Sequence, residues 1–182
     1  MSPKLATDGN RNPLKEPVQN EISDVNHKAF NLEAFVRPDA LPGFQAGFSA
    51  YRDLLAPAGA PAINETILAG HAILIRPKYE WLSEALLDRH ALIGGKGIFN
   101  TPGFYTQISR QFGSFRPYFR YQYVNAPNNE PVFPDVGLQH GPSLGVRFDA
   151  SESAALKLQY DYTFLRNLPG INQLTLQLGF TF

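Results

Sequence analysis

Through most of the chain beyond Lys28, apolar and polar residues alternate with a period of two, the spacing that an extended strand imposes by sending successive side chains to opposite faces. The clearest case is the last stretch. Leu174, Leu176, Leu178, Phe180 and Phe182 fall on one parity, and Gln173, Thr175, Gln177, Gly179 and Thr181 on the other. A strand built from these residues has one wholly apolar face and one polar, uncharged face.

Earlier segments repeat the pattern. Phe30, Leu32, Ala34 and Val36 alternate with Asn31, Glu33, Phe35 and Arg37; after the breaker Pro38 to Gly43, Phe44, Ala46, Phe48 and Ala50 alternate with Gln45, Gly47, Ser49 and Tyr51. The run Asn64 to Arg76 is aliphatic on both parities, so alternation leaves its facing open. Tyr79 to Asp88 alternates, although Glu, Leu and Ala also favour a helix over 80–92. Phe104 to Phe112 and Phe115 to Asn125 flank Gly113-Ser114 as a hairpin, and two more strands follow around the turn Ala150 to Ser153. The count is nine antiparallel strands in an up-and-down order. Their connections alternate between short (38–43, 76–78, 113–114, 150–153) and long (54–63, 93–103, 126–139, 164–170). Residues 1–27 follow neither period and read as an irregular arm ahead of the strand region 28–182.

Composition adds constraints rather than a function. Sixteen basic and sixteen acidic residues give formal neutrality, which offers no field for nucleic acid. The absence of cysteine removes disulfides, thiolate metal sites and cysteine nucleophiles. The longest aliphatic runs fall far short of the roughly 18 residues of a membrane helix. Residues 1–13 contain no apolar core of the kind an export signal requires.

The terminal Phe182, preceded by four apolar residues of the same face, resembles the C-terminal assembly signal of bacterial outer-membrane β-barrels, and the chain from 28 to 182 resembles a porin-like protein. The resemblance implies an all-β transmembrane barrel with short periplasmic turns and long external loops. It implies outer-membrane lipid, the barrel-assembly machinery and small polar solutes as partners, homo-oligomers of the kind the class admits, and passive diffusion with no cofactor and no enzymatic step. An odd strand count and the missing signal lead to the expectation that the chain is the carboxy-terminal portion of a larger barrel. Tyr121, Tyr123, Tyr160 and Tyr162 near one rim, with Phe112, Phe115, Phe148 and Phe182 near the other, would form two aromatic girdles. The lumen lining would include Glu33, Arg37, Glu80, Glu84, Arg116, Arg120, Arg147, Asp149, Lys157 and Asp161. Arg116, Arg120, Arg147 and Lys157 form a basic ladder, expected either to bias a pore toward anions or, more simply, to support the wall by pairing with Asp149 and Asp161.

Other motifs carry little. His27, His71, His90 and His140 show no paired ligand spacing, so no metal site is expected, and each reads as a loop or rim residue. His140-Gly-Pro-Ser143 lacks a companion acid or amide for hydrolysis, and Gly94-Gly95-Lys96-Gly97 lacks the Ser/Thr and helix of a phosphate loop. Asn64-Glu-Thr66 serves as neither glycosylation site nor helix cap. Two alternatives stand beside the channel: a soluble or periplasmic β-sandwich or barrel that binds a ligand, and a barrel enzyme with a polar cluster at one rim.

Overall fold

The computed structural model describes residues 28–56 and 61–181, which form a single antiparallel sheet with no helix among them. The nine strands are β1 (Phe30–Val36), β2 (Phe44–Leu55), β3 (Ile63–Ile75), β4 (Tyr79–Leu92), β5 (Ile98–Arg110), β6 (Phe115–Asn125), β7 (Leu138–Ser151), β8 (Ala154–Leu165) and β9 (Leu168–Phe180). Each strand pairs with its neighbours in sequence and with no other. The ends of the order do not meet: β1 pairs only with β2 and β9 only with β8, so the sheet is open among the described residues. The proposed arm 1–27 and the terminal Phe182 lie outside those residues.

The segment 80–92 is strand, not helix. Its thirteen-residue register with β3 pairs Leu87 with Leu68 and Leu86 with Ala69, and this ladder overrides the local helical preference of Glu, Leu and Ala. The register also settles β3, where Ile67, Ala69, His71 and Ile73 share the face of Glu84, while Leu68, Ala72 and Leu74 take the other.

Three connections are shorter than the sequence suggests. Strand β5 begins at Ile98, β7 at Leu138 and β9 at Leu168, which leaves 93–97, 126–137 and 166–167 as the links at that rim. The alternation of short and long connections therefore reduces to one long loop, 126–137. Proline and glycine mislead here because the strands take them where a ladder is interrupted. Pro102 pairs with β4, while the β5–β6 ladder starts only at Gly103. Gly141 and Pro142 pair with β6 but fall in a gap of the β7–β8 ladder between His140 and Ser143. A proline without N–H belongs at such a position.

At Gly141 a side chain has no room, since a Cβ would fall 1.9 Å from the carbonyl oxygen of Tyr162. Because that neighbour is backbone, Gly141→Ala is expected to spread β7 from β8 and to cost about 1–3 kcal/mol. A denaturant midpoint measured beside the wild type checks this.

Candidate functional site

Pairing register divides the strand residues into two faces of opposite chemistry. On one lie Phe48, Leu68, Leu87, Phe104, Phe119, Leu144, Leu158 and Leu176, and no charge appears on that side except Arg52 and Arg89 at one rim and Arg110 at the other. These apolar side chains are open to the surroundings: Leu144 is 58% exposed, and Leu174, Leu176, Leu178 and Phe180 of the terminal strand are 71, 68, 58 and 64% exposed. Aromatic rings cluster toward both rims of this face. Phe115 and Phe148 meet at 4.9 Å at one rim; Phe104 with Tyr123 at 5.4 Å, and His140 with Phe164 at 5.1 Å, lie toward the other. Tyr121 donates its hydroxyl to, or accepts from, His140 Nδ1 at 2.9 Å.

The opposite face collects the polar residues. Glu33, Glu80, Glu84, Arg116, Arg120, Arg147, Asp149, Lys157 and Asp161 share it through the ladders, and Arg37 joins them by donating from Nε to Gln45 at 2.6 Å. The basic ladder is real as a register for three members: Arg116 pairs with Arg147, which pairs with Lys157, while Arg120 lies four residues farther along β6, opposite Ser143 and beyond Tyr118. Its members have different partners. Arg116 forms an ion pair with Glu80, which also accepts from Ser109 at 3.2 Å, and Arg147 donates to Asp149 at 2.6 Å. The wall-supporting pairing therefore holds for Asp149. It fails for Asp161, which instead accepts hydrogen bonds from Ser143 and Gln159. Arg120 donates to Gln107 and lies over the Tyr105 ring, and Lys157 lies 5.0 Å from the centroid of Tyr118. Tyr118 itself lies over Gly145, whose missing side chain makes the space, and donates to Gln159 at 2.5 Å.

One cluster was not anticipated. The expectation that the histidines are rim or loop residues without ligand company fails for two of them. His71 is in the middle of β3, where it accepts from Gln45 at 3.0 Å, and His90 is fully buried on β4. Around His90 stand Glu65 of β3, directly opposite in register, Asp88 of the same strand, and Glu130 of the loop 126–137. Glu130 is itself buried at 1% exposure and accepts the N–H of Val132 at 2.8 Å and that of Phe133. The same loop sets Val132 and Phe133 on the row Leu55, Ile63 and Leu92, so it folds across the polar face instead of projecting from the rim. Arg166 ties it to the next connection through Asn125 and Asn128. The local signal was Asp88-Arg-His90, because residues two apart on a strand share a face; the contributions of Glu65 and Glu130 come from non-local pairing.

These features define a class: an antiparallel meander, uncapped on its apolar face and charged on the other, with one loop laid over the charged side. Comparison with protein-family models, with curated proteins and with solved structures finds no match for the chain.

Proposed function

We propose that this chain forms part of the wall of a porin-like outer-membrane channel, with the apolar face toward lipid and the charged face lining a water-filled passage for small polar solutes. The observation that carries the reading is the sorting of charge across the sheet, with only Arg52, Arg89 and Arg110 at the rims of an otherwise apolar, exposed face. A soluble protein rarely leaves so extensive an apolar surface bare. In a bilayer the same surface is solvated by acyl chains, and each strand exceeds or approaches the roughly 9–11 residues needed to cross at a tilt. Tyr and Phe clusters at the two rims suit the headgroup layers. The free edges of β1 and β9 are the remaining requirement. Unpaired backbone groups in hydrocarbon cost several kcal/mol each, so the reading demands that further strands complete the ring.

The ladder Arg116, Arg147 and Lys157, with Arg120 beside it, faces the passage in this arrangement. Two of the four cations are offset by Glu80 and Asp149, and Glu84 and Asp161 stand near Arg120 and Lys157, so the ladder supports the wall rather than setting a preference for anions.

The chain expressed with an export signal is expected to partition with the outer membrane and to run faster on a detergent gel before heating than after. A protein recovered monodisperse with all detergent removed would sink the reading in favour of a soluble binding sheet. Permeability of vesicles carrying the assembled protein to small sugars separates a channel from a closed wall.

A further inference from the structure

The geometry points to a divalent transition-metal site, of the kind zinc occupies, formed by His90, Glu65 and Asp88 and oriented by Glu130. It stands independently of the channel reading, since it uses only groups packed together at one end of the polar face.

The donor atoms are already gathered. Nε2 of His90 is 3.1 Å from Oε1 of Glu65 and 3.4 Å from Oδ1 of Asp88, and the three atoms lie within 4.8 Å of one another. Ligand atoms about 2.0–2.2 Å from a tetrahedral zinc stand about 3.3 Å apart, so the two spacings from Nε2 suit adjacent corners of such a shell. Nδ1 of His90 meets the Glu130 carboxylate. A carboxylate on the far nitrogen is what fixes a metal-binding imidazole: it accepts a hydrogen bond from Nδ1–H, which holds the proton there and leaves the Nε2 lone pair aimed at the metal.

Two further observations show that the cluster lacks something as it stands. Asp88 is more than nine-tenths buried, and its Oδ1, which faces Nε2, is buried without a hydrogen-bond partner. The charge is also out of balance. Glu65, Asp88 and Glu130 bring three formal negative charges, against at most one positive charge on His90, and the ion pairs of these three carboxylates among the described residues all go to that ring. Buried charge without compensation is costly, and a divalent cation bound at Nε2 removes most of the excess. One imidazole with two carboxylates suits zinc and its neighbours in the first transition row better than calcium, which takes six to eight oxygens. Glu65 keeps 13% of its side chain exposed, so solvent reaches the site on its side and supplies the remaining coordination.

The consequence reaches the loop. The metal holds His90 in the tautomer that donates to Glu130, and Glu130 gathers the backbone of Val132 and Phe133. Metal occupancy and the position of 126–137 over the polar face are thereby coupled.

The test is titration of the chelator-stripped, detergent-folded full chain with zinc chloride by calorimetry, and with cobalt chloride by visible absorption. One zinc per chain with micromolar or tighter affinity is expected, with the intense bands of four-coordinate cobalt. Asp88→Asn and His90→Ala should each weaken binding by at least about 100-fold, and Glu130→Gln by about 10–100-fold, while His71→Ala keeps the wild-type affinity. The cobalt spectrum of the wild type reads the site even where a variant fails to fold. Binding that is unaltered in a folded Asp88→Asn variant, or a cobalt spectrum showing only weak six-coordinate bands, would overturn the proposal.

Discussion

Leu144→Arg is expected to destabilise the protein in a lipid bilayer by about 2–4 kcal/mol, enough to empty the folded band on a detergent gel. Leu144 lies midway along β7 on the apolar face and is more than half exposed, so under the proposed channel function an arginine there would meet acyl chains rather than neighbouring side chains. Depth makes this prediction specific to a membrane. Ala150→Arg, at the bulged end of the same strand, should cost only about 0–1 kcal/mol, because under the proposed function the guanidinium would reach the headgroups. Thr175→Arg, which lies opposite Gln159 on the polar face, should be close to neutral. Unfolding of the three variants from phospholipid vesicles by urea gives the comparison. Equal costs at positions 144 and 150 would contradict a bilayer on that side of the sheet.

The second large effect is expected at His90. In His90→Ala the carboxylates of Glu65, Asp88 and Glu130 lose the one group that joins them, and Glu130 is left buried without its imidazole partner. Removing one member of a buried ionic cluster costs about 3–5 kcal/mol. Much of that cost is avoided if the loop 126–137 lifts away and hydrates Glu130, so the lost stability should be accompanied by new protease cleavage within the loop. Glu130→Ala should expose the same loop, since it frees the Val132 and Phe133 amides. Cleavage that is unaltered in both variants would show that the loop is held by Val132 and Phe133 on Leu55, Ile63 and Leu92 alone.

The sheet and its two faces were legible in the sequence because both rest on a period of two that each strand carries by itself. All ten charged residues assigned to one face from parity alone share it in the structure, and Leu174, Leu176, Leu178 and Phe180 share the other. Strand boundaries were less legible. Pro102 and Gly103 read as loop residues, yet they lie inside β5 at the place where its ladder with β6 stops. Least visible was the His90 cluster. Of its members only Asp88 and His90 are close in sequence; Glu65 arrives through the β3–β4 register and Glu130 through a loop that returns over the face. The expected pairing of the basic ladder with Asp161 failed for a related reason, since Ser143 and Gln159 lie nearer to that carboxylate and satisfy it.

The strand order has a consequence for how the sheet could change in size. Because every strand pairs only with the strands that precede and follow it in the chain, no backbone ladder spans more than one hairpin step. A hairpin duplicated or deleted would leave the remaining ladders as they are and alter only the width of the sheet. Side chains reach further: Arg116 of β6 meets Glu80 of β4, Tyr118 of β6 meets Gln159 of β8, and the loop 126–137 extends from the β6–β7 connection to His90 on β4 and Leu55 on β2. Strands β2 to β8 are therefore tied into one block, whereas β1 and β9 are the places where width is free to evolve.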